Sequence, residues 1–224
     1  MIKEIKNNHL YWDGCDTVEL AKNYGTPLYV ISQTAIENEC RALQKQFIKK
    51  YDNVHVAYAS KAFNHLAMLK IIEKEGLGID VVSGGELYTA ICAEFPADRI
   101  EFNGNNKSDE ELEQAIDYEV GRIIVDGSQE LDHIIAICRK KEKKANVLFR
   151  ITPEVDVKTH QFISTGQKDS KFGLPLDKEL LLPILQQAIK SPEINFYGIH
   201  FHIGSQLFDN STHLKAAEVA LQLV

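Results

Sequence analysis

The stretch Val54-His55-Val56-Ala57-Tyr58-Ala59-Ser60-Lys61-Ala62-Phe63-Asn64 decides how the rest of the chain is read. Val54, Val56 and Tyr58 alternate with His55, Ala57 and Ala59, the period of a β-strand. Lys61 falls on the alanine face. If that face lines a pocket, the small side chains leave room for a ligand and the ammonium reaches it. A lysine in apolar surroundings loses hydration, which favours its neutral amine. A neutral amine can attack a carbonyl and form a Schiff base. The plainer alternative is a lysine that opens a solvated loop.

Outward from Val54–Asn64, strands and helices alternate. Strands are expected at Val54–Ser60, Gly78–Ser83, Arg99–Asn103, Arg122–Asp126, Asn146–Thr152 and Asn195–His202. Helices are expected between them at His65–Glu75, Gly85–Ala93, Asp109–Tyr118, Gln129–Lys143 and Lys178–Lys190. Short, mostly apolar strands separated by helices suit a parallel sheet covered by helices. The fold class is α/β, either an open doubly wound sheet or a (β/α)8 barrel. No G-x-G-x-x-G follows the first strand, which argues against a dinucleotide fold. Polar residues gather after several strands: Lys61, Ser83, Asn103 to Lys107, Asp126, Arg150 and His202. Barrel enzymes draw their sites from many strand ends in this way. About six strands are counted in 224 residues, whereas whole barrels take roughly 250. An incomplete barrel, part of a longer enzyme, is the expectation.

Residues 1–31 differ from this rhythm. Leu10–Gly14 reads as a short strand and turn, Thr17–Tyr24 as a helix stopped by Gly25, and Thr26–Ile31 as another strand. Ser32 is placed to cap a helix running on to Lys50. The expected division is therefore an N-terminal segment, 1–31, and a partial barrel, 32–224.

A net charge of −7 disfavours nucleic acid as a partner, since such binding needs clustered positive charge. The basic run Arg139 to Lys144 closes a helix, where cations suit the dipole. No apolar run approaches the ~20 residues of a membrane span, and the first residues, M-I-K-E-I-K-N-N, lack the apolar core of a secretory signal. Cys15, Cys40, Cys92 and Cys138 are scattered and read as reduced thiols of a cytoplasmic protein.

Gly198, His200 and His202 share one face of the last strand, with Ile199, Phe201 and Ile203 on the other. Two imidazoles would point into the barrel. An imidazole can lie on an aromatic ring, and the glycine and serine that follow can offer N–H and O–H groups to a phosphate. Metal binding by His200 and His202, or two satisfied core histidines, are the alternatives. Ser83-Gly84-Gly85-Glu86 reads as a tight turn. Asn103-Gly104-Asn105-Asn106-Lys107-Ser108 could recognise a polar ligand or simply lead to a Ser108 helix cap. Arg150 could pair with a site anion. The connection Pro153–Gly173 exceeds ordinary lengths, which favours a functional loop.

Together these residues resemble the pyridoxal-phosphate-dependent decarboxylases of ornithine, diaminopimelate and arginine, built on an alanine-racemase-like barrel. The resemblance rests on Y-A-S-K-A (Tyr58–Ala62), D-V-V-S-G-G-E-L (Asp80–Leu87), G-N-N-K-S (Gly104–Ser108) and G-I-H-F-H-I-G-S-Q (Gly198–Gln206). K-T-H-Q-F-I-S-T-G with S-K-F-G looks like the diaminopimelate branch. This chain reads K-A-F-N where many members read K-A-N. The resemblance implies pyridoxal 5'-phosphate as cofactor, held by Lys61 as a Schiff base. His202 would stack on the ring and Ser205 hold the phosphate, with Asp80 and Arg150 supporting the site. It implies decarboxylation of meso-2,6-diaminopimelate to L-lysine in a homodimer. Residues 1–31 would then belong to a second β-domain, and this chain alone would be poorly active. A related decarboxylase of ornithine, arginine or carboxynorspermidine, or a metal-dependent hydrolase using His200 and His202, is the alternative.

Overall fold

The computed structural model describes residues 3–152, 171–205 and 211–222. β1 (Lys3–Lys6), β2 (His9–Trp12) and β3 (Cys15–Asp16) form a small antiparallel sheet. Asp16 then caps α1 (Thr17–Tyr24) by accepting the Val18 N–H. The strand expected at Thr26–Ile31 does not form. Leu28, Tyr29, Val30 and Ile31 are exposed, and β-prone residues make a strand only where another edge takes up their backbone groups. Ser32 links the two regions. Its hydroxyl donates to Asp13 Oδ2 at 2.8 Å and accepts the Ala35 N–H at 3.0 Å, which caps α2 (Gln33–Gln46). The helix stops short of Lys50, and Ile48–Lys50 tightens into a 3-10 turn.

The main sheet is wholly parallel along its path: β4 (Ala57–Ala59), β5 (Gly78–Val81), β6 (Ile100–Phe102), β7 (Arg122–Val125), β8 (Ala145–Thr152) and β10 (Ile194–His200), each beside the next. β9 (Leu174–Pro175) pairs with the end of β8. The helices are α3 (Leu66–Lys74), α4 (Gly84–Cys92), α5 (Asp109–Tyr118), α6 (Ser128–Lys141), α7 (Lys178–Lys190) and α8 (Ser211–Leu221). This is an incomplete barrel of the (β/α)8 type. β4 is shorter than the periodicity suggests, and among the described strands it pairs with β5 alone.

Strand geometry sorts the side chains. Ile79, Val81, Ile100, Phe102, Ile123, Val125, Val147 and Phe149 face the helices. They meet Leu69, Ile72, Leu87, Leu112, Ile116, Leu131 and Ile134 in one buried core. Each fully buried large apolar side chain contributes on the order of 1.5–3 kcal/mol. The alternate positions Asp80, Glu101, Arg122 and Arg150 face the other way. The helices begin on side-chain caps: Ser83 accepts the Glu86 N–H, and Ser108 forms a reciprocal capping box with Glu111. The basic end of α6 is paired with carboxylates, Arg139 with Glu193 and Lys141 with Asp117.

Gly121 packs where a Cβ would collide with the backbone carbonyls of Asp98 and Ile100. Gly85, inside α4, has only the Ser83 hydroxyl nearby, at 3.9 Å. Gly121→Ala is expected to cost about 1–3 kcal/mol through overpacking, and Gly85→Ala to be neutral or stabilising by up to about 1 kcal/mol. Urea unfolding midpoints of the two variants check this contrast.

Candidate active site

Parallel pairing brings the carboxyl ends of all six strands to one rim. A cavity of about 620 Å³ opens there, lined by Ala59, Lys61, Asp80, Val82, Asn103, Gly104, Asn105, Arg150, Phe172, His200, His202 and Ser205. All five residues singled out from the sequence, Lys61, Asp80, Arg150, His202 and Ser205, lie on it. They come from segments following β4 and β10 and from within β5 and β8.

Lys61 sits in a 3-10 turn (Ser60–Ala62) immediately after β4. The sequence left Lys61 either in a pocket lined by the alanine face or at the start of a solvated loop. The structure leaves Lys61 exposed at the mouth of a cavity that Asp80, Asn103, Arg150 and His202 line together with Ala59, Val82 and Phe172. What the fold does supply is a fixed position. The buried Ser60 hydroxyl donates to Glu86 Oε2 at 2.7 Å, and the same oxygen accepts the Val82 N–H at 2.8 Å. One carboxylate from α4 thus ties the turn carrying Lys61 to the end of β5.

Asp80 is held from the next strand. Asn103 donates from Nδ2 to Asp80 Oδ1 at 3.2 Å, and the same nitrogen lies 3.5 Å from His200 Nε2. The Asn103 Oδ1 accepts the Gly104 N–H, so the amide orientation is determined from both ends. Burial pushes the Asp80 carboxyl up to about 6, against the lowering effect of the Asn103 bond. Burial has the opposite effect on the imidazoles. His200 and His202 are each pulled down to about 4, with the positive charge of Arg150 adding to both. Both rings are thus neutral at pH 7.

Arg150 is buried, with 7% of its surface exposed. Its Nε lies 3.9 Å from Asp126 Oδ1, and its Cζ lies 4.3 Å from the centre of the Phe172 ring. Below the rim, the Lys107 ammonium donates to Gly104 O at 2.7 Å, Ile124 O at 2.8 Å and Glu130 Oε1 at 2.7 Å. Three donors meet three acceptors, which is what a buried ammonium requires. This joins the loop after β6 to β7 and α6.

Asn103, Glu86 and Phe172 were named in the sequence only as parts of motifs. The contacts that tie them to other strand units span 20 or more residues and have no local signal: Ser60 to Glu86 is 26 apart, Asn103 to Asp80 is 23 and Thr152 to Phe172 is 20. Among the described residues no group of three His, Cys, Asp or Glu side chains could hold a metal ion. No helix of the described residues is long and apolar enough to cross a membrane. Most of Pro153–Gly173, and Gln206, lie outside the described residues.

The family model described as pyridoxal-dependent decarboxylase, pyridoxal binding domain, matches residues 33–224. The chain belongs to this family. It is 48% identical over 215 residues to a diaminopimelate decarboxylase of Bacillus methanolicus, covering 96% of this chain and 50% of that protein. It is 45% identical to the diaminopimelate decarboxylase of Bacillus subtilis (strain 168), covering 96% and 49%. A crystal structure of diaminopimelate decarboxylase from M. jannaschii in complex with L-lysine superposes with a TM-score of 0.91 at 38% identity. It covers 99% of this chain and 52% of that one. The chain thus spans about half the length of the curated relatives it matches.

The neutral imidazoles give a pH prediction. A histidine whose pKa falls from 6.5 on folding stabilises the fold above 6.5, and that stability is lost as pH drops toward about 4. In an NMR titration, His200 and His202 should keep their neutral chemical shifts down to about pH 5. Midpoints near 6.5 for both rings would show that neither is desolvated.

Proposed function

We propose that the cavity holds pyridoxal 5'-phosphate through Lys61, and that the whole protein decarboxylates meso-2,6-diaminopimelate to L-lysine. The observation that carries this reading is the gathering of Lys61, Asp80, Arg150, His202 and Ser205 around one cavity. The donor set suits the cofactor. An amine at the mouth matches its aldehyde, and a neutral imidazole can lie on its ring. The Ser205 hydroxyl, with the backbone of Gly204 at φ +127°, suits its phosphate. The identities of 45–48% to diaminopimelate decarboxylases support this substrate over ornithine, arginine or carboxynorspermidine. A metal-dependent hydrolase is disfavoured because Lys61 and Arg150 both place positive charge on His202, which would repel a cation.

When bound, the cofactor supplies an electron-withdrawing ring that takes up the electron pair left as a carboxylate departs as CO2. The chain's own residues bind and orient. Lys61 Nζ is the group that would hold the cofactor through its aldehyde, and once released it could carry a proton at the cavity mouth. Glu86, through Ser60, keeps that amine in place. Asp80 and Arg150 set the charge around the ring, and Asn103 keeps the Asp80 carboxyl oriented. His202 stays neutral and presents a flat face. Residues 1–31, with their separate small sheet, are assigned on this reading to a second β-domain of the whole protein. A cytoplasmic homodimer is the expected assembly.

Borohydride reduction of the full-length protein with pyridoxal phosphate, followed by peptide mass mapping, tests the assignment. A phosphopyridoxyl group on Lys61 is expected, and Lys61→Ala should lower lysine release from meso-diaminopimelate by more than roughly a hundredfold. Reduction that leaves Lys61 unmodified would remove the proposal, and turnover of ornithine or arginine in preference would move it to a sister enzyme.

A further inference from the structure

Phe172 is absorbed by neither the cofactor assignment nor the core. It opens the short segment that leads into β9, and three contacts fix that segment on the rim. Thr152 Oγ1 donates to Phe172 O at 2.9 Å, Asn105 Nδ2 donates to Lys171 O at 3.2 Å, and the Gly173 N–H donates to the Asp126 carboxylate. Gly173 lies so close to β8 that a Cβ would stand 3.0 Å from Arg150 O and 3.1 Å from Arg150 Cγ, at φ +75°. Only glycine adopts that conformation and that approach without strain. The segment is therefore pressed onto the residue whose guanidinium the Phe172 ring covers.

A guanidinium is planar, with its five N–H donors in the plane and its faces weakly hydrated. An aromatic ring whose centre lies 4.3 Å from Cζ shields the guanidinium from water on that side. Among the described residues the carboxylate within ion-pair range of Arg150 is that of Asp126, 3.9 Å away, beyond hydrogen-bond length. Among the described residues the in-plane donors are thus left for whatever fills the cavity that Arg150 and Phe172 both line.

We propose that Phe172 is a positioning residue that acts through Arg150: its ring holds the guanidinium in a single orientation, so that the in-plane N–H groups meet an oxygen acceptor of the bound cofactor. This rests on the pyridoxal phosphate reading above and adds to it the device that aims Arg150. The interaction is with the face of the ring, so aromatic character matters and apolar bulk does not suffice.

The test is a pyridoxal phosphate titration of the full-length apo-protein, read by visible absorbance, for wild type, Phe172→Tyr and Phe172→Leu, each with and without Arg150→Gln. A desolvated cation–ring contact predicts that Phe172→Leu weakens binding by roughly 5- to 30-fold. Phe172→Tyr restores affinity to within about twofold of wild type. With Gln at position 150, Tyr and Leu should bind alike. Equal affinity of Phe172→Leu and wild type, or the same loss whether or not Arg150 is present, would overturn the proposal while leaving the cofactor assignment intact. Failure of wild type itself to bind would overturn both. Melting temperatures of the apo-variants separate a folding defect: if Phe172→Leu lost affinity only in step with a lowered melting temperature, and Phe172→Tyr did the same, the ring would be packing alone and the proposal would fall.

Discussion

Everything at this site depends on parallel pairing. A parallel sheet points every strand the same way, so the groups that follow each strand arrive at one rim regardless of their distance in sequence. Lys61, Asp80, Asn103, Arg150 and His200 come together because Ala59 pairs with Asp80 and Arg150 with His200 in register. A slip of one residue in any pair would turn these groups toward the helices and the apolar set toward the cavity. The buried core of Ile79, Phe102, Val125 and Phe149 forbids that slip. Apolar packing on one face thus guarantees the polar site on the other.

The rim is then stiffened by buried carboxylates and amides that bridge neighbouring units. Glu86 fixes the Lys61 turn to β5. Asn103 connects Asp80 with His200. Lys107 ties three segments with three donors, and the Phe172 segment clamps the end of β8. Glu86 and Lys107 make their bridging hydrogen bonds at every end, as a buried polar network requires. Their common result is a cavity whose shape exists before a ligand enters.

How far this could be read from sequence follows from the same distinction. The strand–helix rhythm and the strand-end residues Lys61, Arg150 and His202 are local signals, and the fold honours them. Thr26–Ile31 was misread because its β-prone residues find no partner edge, which composition cannot reveal. The surroundings of Lys61 were left open. The small alanine face does open on a cavity, but the facing wall is supplied by Asp80, Asn103 and His200, up to 139 residues away in sequence. Glu86 and Phe172 were visible only as letters of motifs, since each acts on a residue from a different strand unit.

A crystal structure of the full-length protein grown with pyridoxal 5'-phosphate is the most direct measurement. The account predicts continuous density from Lys61 Nζ into the ligand, with the His202 ring against its ring and Arg150 donating to it. A ligand bound elsewhere, or one in this cavity with Lys61 turned away to solvent, would contradict it.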